Sequence, residues 1–487
     1  MADTIRFLLN QSEQRVRGVS PSTTVLQWLR ARADRRGTKQ GCAEGDCGAC
    51  TVIVGTLSGG GVRYRAINAC IQPLPSLHGK VVLTVEDLAG PDGTLHPVQQ
   101  AMVTTHASQC GFCTPGFVMS LAALWLSHDA YPGDTVVSDA LVGNLCRCTG
   151  YRPILDAARL AFRLARPGDW ADRAGCDRAA LAGLGEPTDL DLTVGNERYL
   201  APITVDSLVK ARADHPDATI IAGATDVGLW ITKQRRHMPV LISTMAIDAL
   251  RRTVVETEQV ALGAGLTYTE AAPVIEQYFP ALAFLYTRFA SLQVRNAGTI
   301  GGNVANGSPI GDSMPMLLAL DASVELASVR GRRTLLLSDF YLGYQQKAMA
   351  TDEVVTALKI PRHGADWLLA GEKISKRFDQ DISAVCGGFA IRCDAAGIVQ
   401  EARLGFGGMA AIPARASKLE AALIGQRWSE DSVQTALPAL AEDFTPIDDM
   451  RASAEYRQRV AGNLLRRFAL TTTAADYPAE GIYAHAG

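Results

Sequence analysis

Eight of the eleven cysteines fall within the first 150 residues of a 487-residue chain, in two groups of four. At roughly 150 residues per domain, a chain of this length has room for about three domains. Disulfide frameworks belong mainly to small secreted domains, whereas clustered cysteines in a large chain indicate metal binding or redox chemistry. The N-terminal part of the chain is therefore predicted to fold around bound metal or redox centres.

The first cysteine group lies in the sequence CAEGDCGAC, residues 42–50, and a fourth cysteine follows at a distance. The spacing C-x4-C-x2-C with a distant fourth cysteine is typical of plant-type [2Fe–2S] ferredoxins. Zinc sites favour paired C-x2-C motifs or mixtures with histidine, so zinc and unligated buried thiols are the weaker alternatives. We predict that one [2Fe–2S] cluster is held by Cys42, Cys47, Cys50 and Cys70.

The second group combines a C-x2-C pair in QCGFCTPG, residues 109–116, with a C-x-C pair in GNLCRCTGYRP, residues 143–153. On spacing alone, four such thiolates could hold zinc as well as an iron–sulfur cluster. The neighbouring cluster favours iron–sulfur, because a second centre would make a chain of redox groups. We predict a second [2Fe–2S] cluster at Cys110, Cys113, Cys146 and Cys148.

Composition limits the partners and the location that can be expected. Apolar residues make up 47% and charged residues 20% of the chain, and the net charge is −3, which is ordinary for a soluble protein. This balance gives no support for nucleic acid or a membrane surface as a partner. We see no signal peptide, and the longest mostly apolar stretch, residues 118–126, is about half a membrane span. A cytoplasmic location is expected.

Hydrophobic periodicity divides the chain into segments of different character. Strand-like alternation occurs at residues 4–9, and a helix is predicted within residues 20–35 with Ser22 or Thr23 as its N-cap. These patterns predict a small α+β unit at the N-terminus. About four helices follow, and then a stretch rich in Gly, Asp, Arg and Pro without a sustained period. The predicted boundaries are 1–89 (α+β), 90–166 (helical), 167–196 (linker), 197–365 (alternating strands and helices) and 366–487 (a last α+β domain).

Two glycine-rich loops each follow an apolar strand, TIIAGATDVG at residues 219–228 and TIGGNVANGSPIGD at residues 299–312. Glycine lets backbone N–H groups approach a pyrophosphate and form an anion-binding concavity. The chain has no G-x-G-x-x-G opening a helix in these loops, so a Rossmann interpretation fails. A glycine-rich loop by itself is more often a plain turn, and the loops alone leave the ligand open.

Together, the motifs CGFCTPG and NLCRCTGYRP resemble the second [2Fe–2S] domain of the xanthine dehydrogenase (molybdenum hydroxylase) family. The resemblance runs from about residue 4 to 480. It implies a multidomain α+β fold: a β-grasp ferredoxin domain, a four-helix [2Fe–2S] domain, a two-part α/β FAD domain of the vanillyl-alcohol-oxidase type, and a C-terminal α+β domain like that of the CO dehydrogenase flavoprotein. It also implies that Gln109 and Cys148 lie near the pterin of a molybdenum cofactor on a partner.

The same resemblance assigns both glycine-rich loops to FAD. The positions implied to contact FAD are Ile220, Ile221, Ala222, Gly223, Ala224, Thr225, Asp226, Val227, Phe289, Thr299, Gly302, Asn303, Asp312 and Lys373. Relatives carry a second basic residue where this chain has Phe378 after Arg377, so the chain departs from the family pattern in the segment that affects access of the electron acceptor. Tyr344 is a candidate on the nicotinamide side, and packing is the alternative role for Tyr344 and Phe378.

By resemblance, the chain is expected to be an electron-transfer subunit without catalytic residues of its own. Electrons from xanthine or hypoxanthine, oxidised on a large molybdenum-cofactor subunit, would pass through the two clusters to FAD and then to NAD, in an α2β2 assembly. Charges beside the cysteines, Asp46 and Arg147, could tune the clusters. The alternatives are the same module in a molybdenum hydroxylase acting on an aldehyde or N-heterocycle, and a non-catalytic scaffold.

Overall fold

The computed structural model describes residues 2–473 and divides into two compact units. The first unit comprises the residues up to Ala249 together with Thr267–Thr269 and Ala290–Thr299. The second comprises Leu250–Leu266, Glu270–Phe289 and the described residues from Ile300 onward. Among the residues that the structure describes, no helix is both long and apolar enough to cross a membrane.

The N-terminal domain is a five-stranded sheet in the order β2-β1-β5-β3-β4, with one helix packed on it. The only parallel pair among these strands is β1 with β5. Leu26, Trp28 and Leu29 of the helix are buried, and the Trp28 ring meets Phe7 edge-on at 5.1 Å. The elements are β1 (Ile5–Leu9), β2 (Ser12–Val16), α1 (Val25–Ala31), β3 (Thr51–Ser58), β4 (Gly61–Asn68) and β5 (Val81–Leu83).

The cap of α1 differs from the prediction, which named Ser22 or Thr23. Thr24 is the N-cap: its hydroxyl accepts from the Gln27 backbone N–H at 3.2 Å, and the Gln27 side chain accepts from the Thr24 N–H at 2.8 Å. This reciprocal pair forms a capping box, which satisfies two backbone donors at the start of the helix. The predicted cap was therefore one or two residues too early.

Four helices follow, as predicted, and their apolar faces form a core around Phe117, Leu121 and Trp125. Pro97 opens the first of them, where a missing N–H costs no hydrogen bond. These helices are α2 (Pro97–Thr104), α3 (Thr114–Ser127), α4 (Asp134–Leu141) and α5 (Arg152–Ala161).

The segment predicted as a linker, residues 167–196, contains regular structure. It forms α6 (Gly168–Ala171), α7 (Arg173–Ala182) and a strand, β6 (Leu190–Val194). Arg173 and Asp177 of α7 are buried; Arg173 donates to Asp177 at 2.8 Å, and the Tyr64 hydroxyl donates to the same carboxylate oxygen at 2.7 Å. Two of the three buried residues of α7 are thus charged, which is why hydrophobic periodicity did not reveal the helix.

The first unit is completed by a four-stranded sheet in the order β6-β7-β9-β8. Strands β7, β9 and β8 run parallel, whereas β6 pairs antiparallel with β7. Its further elements are β7 (Glu197–Ala201), α8 (Val205–Asp214), β8 (Thr219–Ile221), α9 (Val227–Thr232) and β9 (Val240–Ser243).

The second unit begins with an antiparallel five-stranded sheet in the order β10-β11-β16-β12-β13. Two helices of this part of the sequence are exceptions. Helix α12 (Leu292–Arg295) belongs to the first unit, and so do the first two residues of α10 (Tyr268–Tyr278). The elements are β10 (Thr253–Val255), β11 (Gln259–Gly263), α10 (Tyr268–Tyr278), α11 (Pro280–Thr287), α12 (Leu292–Arg295), α13 (Ile300–Asn306), α14 (Ser313–Ala319), β12 (Ser323–Ser328), β13 (Gly331–Leu336), α15 (Leu337–Phe340), β14 (Tyr341–Gly343), β15 (Gln346–Lys347) and β16 (Val354–Pro361).

The C-terminal part of the second unit is an antiparallel sheet with helices against it. Phe389 lies at the centre of its core, with its ring centroid 5.5 Å from that of Phe406 and 5.7 Å from that of Phe468. The elements are β17 (Trp367–Ile374), β18 (Val385–Cys393), β19 (Val399–Gly407), β20 (Ala414–Arg415), α16 (Ser417–Leu423), α17 (Glu430–Ala436), α18 (Pro438–Asp443) and α19 (Ala454–Thr473). The multidomain α+β architecture predicted from the sequence is confirmed.

Candidate iron–sulfur and flavin sites

The β3–β4 pairing brings the first cysteine group together. Thr51 lies opposite Asn68, so the residues just outside this pair meet at one end of the hairpin. The Ala69 N–H donates to the Cys50 carbonyl at 3.3 Å, which places Cys50 and Cys70 side by side. Both thiols are buried, at 2% and 3% exposure, while Cys42 and Cys47 on the preceding loop are half-buried.

The loop of residues 42–50, which we call the first cysteine loop, turns backbone donors toward sulfur. The N–H groups of Glu44, Asp46 and Cys47 each lie 3.4 Å from Cys42 Sγ. Hydrogen bonds from the thiols of Cys47 and Cys70, together with these N–H groups, hold the pKa of Cys42 far below its usual range. Thiolate is the form of cysteine that binds metal, so the loop suits a metal ligand.

The second cysteine group combines the N-terminus of α3 with the loop before α5. Cys110 and Cys148 are exposed with their sulfurs 3.7 Å apart, and Cys146 is buried. Burial opposes ionisation of Cys146, but the Thr149 hydroxyl and the Cys148 N–H lower its pKa overall. Burial, aided by the Cys146 sulfur, raises the pKa of Cys113 to about 12.

Four thiolates can ligate either a zinc ion or a two-iron cluster. A structural zinc site needs four ligands that converge on one point. In the described part of the chain, no group of three or more His, Cys, Asp or Glu side chains converges closely enough to hold a single metal ion. A [2Fe–2S] cluster spreads four thiolates over two irons, and each set supplies four cysteine sulfurs.

The two cysteine loops touch through their backbones. The Leu145 N–H, next to Cys146, donates to the Cys47 carbonyl at 3.0 Å. Gly48 has a φ of +68°, and a Cβ there would lie less than 3.0 Å from the Gly143 carbonyl oxygen. Only glycine combines this backbone angle with so close an approach. The segment 143–148, which we call the second cysteine loop, is therefore in direct contact with the first.

Two buried amides lie at this contact and were not predicted. Asn144 donates to the Gly48 carbonyl at 3.1 Å and to the Thr51 hydroxyl at 3.3 Å. Its side-chain oxygen accepts from Ser120 at 2.6 Å and from Gln293 at 3.1 Å. Asn144 could have been found within the GNLCRC motif, but Gln293 comes from α12, far away in sequence, and carries no local signal.

In the first unit, the predicted flavin loop, residues 220–227, begins at the end of β8 and leads into α9. The Gln72 side chain, two residues after Cys70, donates to the Gly223 carbonyl at 2.8 Å, and this contact is buried. A Cβ at Gly223 would lie less than 3.0 Å from the Ala297 carbonyl oxygen, so the loop is closely packed on segment 290–299. Of the predicted contacts in this unit, Thr299 is buried and Asp226 is exposed.

Helix α9 also contacts the first cysteine loop. The Thr232 hydroxyl donates to the Ala43 carbonyl at 2.8 Å, and the Lys233 ammonium donates to the Cys42 carbonyl at 3.0 Å. Lys233 also pairs with Glu44 at 3.0 Å. The first unit therefore brings the first cysteine group, the second cysteine group and the predicted flavin loop into one network of contacts.

In the second unit, two predicted FAD residues form a buried ion pair. The Lys373 ammonium lies 2.6 Å from an Asp312 carboxylate oxygen, and both residues are at least 95% buried. The Ser383 hydroxyl donates to the other carboxylate oxygen. Asp312 is held in place because α14 packs on glycines of the sheet: a Cβ at Gly388 or Gly405 would lie less than 3.0 Å from the Pro315 backbone.

Lys373→Met should lower the free energy of unfolding by about 3–5 kcal/mol, because it leaves the Asp312 carboxylate buried without its counter-charge. Lys210→Met is the matched control, since Lys210 pairs with Asp214 at 3.0 Å on an exposed surface and should cost less than about 1 kcal/mol. Denaturant unfolding measures the loss of unfolding free energy in both variants. Flavin-free protein is used so that loss of a bound ligand does not contribute. Equal losses would contradict the assignment of a structural pair.

The other predicted positions of the second unit differ in exposure. Gly302 is exposed near the start of α13, Asn303 is partly buried and accepts from Ser313 at 2.7 Å, and Phe289 is partly buried. Tyr344 is 62% exposed and Phe378 is 42% exposed, with the Arg288 guanidinium 4.7 Å from the Phe378 ring centre. Both side chains are accessible enough to contact a ligand.

Four domain families match the chain in order. A 2Fe–2S iron–sulfur cluster binding domain matches residues 7–71, a [2Fe–2S] binding domain residues 84–159, an FAD binding domain in molybdopterin dehydrogenase residues 193–363, and a CO dehydrogenase flavoprotein C-terminal domain residues 372–472. The two iron–sulfur domains and the FAD domain predicted from the sequence are thereby supported at the level of the domain.

Xanthine dehydrogenase of Emericella nidulans is 32% identical over 96% of this chain and 38% of that protein. Among solved structures, a carbon monoxide dehydrogenase from Hydrogenophaga pseudoflava is 28% identical, covering 56% of this chain and 96% of that one, with a TM-score of 0.53. Quinoline 2-oxidoreductase from Pseudomonas putida 86 is 25% identical over 56% of this chain and 95% of that one, with a TM-score of 0.51.

The chain belongs to the molybdenum hydroxylase family, of which it carries the iron–sulfur and flavin-binding domains. It spans about two fifths of the length of the curated relatives that it matches. The matched domains are those that bind iron–sulfur clusters and FAD in that family.

Proposed function

We propose that this chain is the iron–sulfur and flavin subunit of an NAD-dependent xanthine dehydrogenase, located in the cytoplasm. A large subunit with the molybdenum cofactor would oxidise xanthine or hypoxanthine, and this chain would carry the electrons to NAD. The observation that carries the proposal is the contact network of the first unit, in which two four-cysteine sets and a flavin loop adjoin. The clusters and FAD would supply the redox chemistry, and the protein their positions.

Each group would be held by residues already described. Cys42, Cys47, Cys50 and Cys70 would ligate one cluster, and Cys110, Cys113, Cys146 and Cys148 the other. Backbone N–H groups directed at sulfur stabilise the thiolate form of the ligands. FAD would take its contacts from Ile220–Val227, Phe289, Thr299, Gly302, Asn303, Asp312 and Lys373.

The surface around the second cysteine group supports a partner at this face. Gln109, Cys110 and Cys148 are exposed. Large apolar side chains surround them: Phe112 is 49%, Leu145 37% and Tyr151 38% exposed. Exposed apolar side chains grouped around a functional site are typical of an interface. We propose that the molybdenum subunit docks here, in an α2β2 assembly.

Two considerations bear on the substrate. The match to xanthine dehydrogenase runs through 96% of the chain, whereas carbon monoxide dehydrogenase matches 56%. Fusion of iron–sulfur and flavin domains in one chain therefore favours the xanthine type. The resemblance to quinoline 2-oxidoreductase keeps an N-heterocycle as the second candidate substrate class.

Activity assays on the chain alone and with its partner test the proposal. Alone, the chain should oxidise NADH with an artificial dye, because hydride transfer needs only the flavin site, and it should leave xanthine unchanged. Addition of the molybdenum subunit should produce urate and NADH from xanthine and NAD. If the single chain, free of molybdenum, converted xanthine to urate, the proposal that the molybdenum subunit carries out this oxidation would be wrong. Turnover of quinoline or an aldehyde, but not xanthine, by the complex would favour the second candidate.

Gly302→Val should release FAD, because Gly302 is exposed near the start of α13 and a branched side chain would block close approach of the pyrophosphate. The clusters should remain, since their ligands lie in the other unit. Gly168→Val is the control: its φ is accessible to any residue and its Cβ meets no atom within 4 Å. Flavin absorbance per chain measures the outcome, and stoichiometric FAD in Gly302→Val would contradict the assignment.

A further inference from the structure

The two cysteine loops are held together partly by side chains that are not predicted ligands of either cluster. The Leu145 N–H donates at 3.0 Å to the backbone carbonyl of Cys47, a predicted ligand of the first cluster. Leu145 itself precedes Cys146, a predicted ligand of the second cluster. Close approach of Gly48 to Gly143 leaves no room for any atom between the loops. A small shift at this point would therefore change the separation of the two ligand sets.

Asn144 is placed to prevent such a shift. It is 2% exposed, and its amide nitrogen donates across the contact to Gly48 and Thr51, on the first cysteine loop and β3. The Thr51 hydroxyl donates to the same Gly48 carbonyl at 2.7 Å. The carbonyl next to Cys47 is thus held by two side chains, one from each iron–sulfur domain.

Gln293 holds Asn144 in turn. Gln293 is 1% exposed, and its amide nitrogen lies 3.1 Å from the Asn144 side-chain oxygen, 2.9 Å from Ser120 Oγ and 3.1 Å from the Ala140 carbonyl. It belongs to the segment matched by the FAD-binding family. Buried polar networks of this kind fix a unique arrangement, because every displaced member leaves an unpaired polar group.

We propose that Asn144 and Gln293 are positioning residues that set the separation and coupling of the two clusters. The inference rests on the proposed function, since it requires both cysteine sets to hold clusters. Asn144 acts on the first cysteine loop directly, and Gln293 acts through Asn144. Their loss should alter the coupling between clusters and leave each cluster in place.

Electron paramagnetic resonance of the fully reduced chain measures this coupling. When both clusters are paramagnetic, their dipolar interaction splits the signals and falls steeply with distance. We expect a splitting in the wild type that is lost or reduced in Asn144→Ala, with about four irons per chain retained from two clusters of two. Electron transfer between the clusters should slow, because the rate of electron tunnelling falls as the two centres move apart.

Asn296→Leu is the matched control, because Asn296 is a buried amide of the same segment that donates to Ala66 at 2.9 Å, away from the cysteine loops. It should keep the wild-type splitting. Gln293→Ala should change the splitting in the same direction as Asn144→Ala. If Asn144→Ala fails to fold, the near-isosteric Thr51→Val removes the hydroxyl on the other side of the contact and should also reduce the splitting.

The outcomes separate the inference from the function. A wild-type chain without iron would overturn the proposed function and the inference with it. A wild-type chain with two coupled clusters, whose splitting is unchanged in the Asn144, Gln293 and Thr51 variants, would overturn only the inference. An equal loss of splitting in Asn296→Leu would also overturn it, because the effect would then belong to general destabilisation.

Discussion

Cys47→Ser should remove one [2Fe–2S] cluster and leave the other, so that iron and acid-labile sulfide fall from about four to about two per chain. Serine keeps the backbone carbonyl that accepts from Leu145, so the second cysteine loop should keep its position. The thiols of the second group come from other segments, the loop that leads into α3 and the loop before α5. Electron paramagnetic resonance of the reduced variant should therefore show a single cluster signal.

Cys176→Ser provides the control for this experiment. Cys176 is an exposed free thiol on α7, outside both predicted ligand sets. Its replacement should leave the iron content and both signals unchanged. Loss of both clusters in Cys47→Ser, or of neither, would contradict the division of the eight cysteines into two independent sets.

Gly48→Ala should be among the most damaging single substitutions in the chain. A Cβ at this position would lie less than 3.0 Å from the Gly143 carbonyl oxygen, and φ is +68°. The clash cannot be relieved by moving a flexible side chain, because the neighbouring atom belongs to the backbone of Gly143. The strain at Gly48 lies in its own backbone angle. We expect a loss of about 4 kcal/mol or more in the free energy of unfolding, in the range reserved for core disruption.

Gly60→Ala separates the steric effect from backbone strain. Gly60 has a φ of +81°, yet a Cβ there meets no atom within 4 Å. The strain of a left-handed conformation alone costs roughly 1–2 kcal/mol. Calorimetry should therefore show a much lower melting temperature for Gly48→Ala than for Gly60→Ala. Similar melting temperatures in the two variants would mean that the cysteine loops are not in close contact.

The sequence predicted those parts of the fold in which local pattern and tertiary structure agree. The apolar–polar alternation of residues 4–9 marks β1, and the helical spacing of apolar residues within 20–35 marks α1. The spacing of the cysteines predicts two ligand sets, and this assignment stays a prediction. The existence of these elements follows from a few neighbouring residues, which is why a single sequence sufficed.

The remainder depends on contacts that have no local signal. Helix α7 was missed because Arg173 and Asp177, which look like surface residues, are buried against Tyr64. The cap at Thr24 depends on which hydroxyl faces the Gln27 N–H, and three candidates stand in a row. Gln293 reaches Asn144 across 149 residues of sequence, and no spacing rule relates such positions.

Resemblance, rather than residue pattern, supplied the flavin assignment. A glycine-rich loop alone does not distinguish a cofactor site from a turn. The structure adds that Gly223 is packed on Ala297 and held by Gln72, and that Asp312 is fixed by Lys373 and Ser383. These contacts show closely built loops, and the individual FAD contacts stay predictions.

The central claim is that one chain holds two iron–sulfur clusters and a flavin. An inventory of iron, acid-labile sulfide, zinc and flavin in the purified wild-type chain tests it most directly. We predict about four irons, about four sulfides and about one FAD per chain, with zinc at background. Two or fewer irons, or stoichiometric zinc in place of iron, would contradict the account.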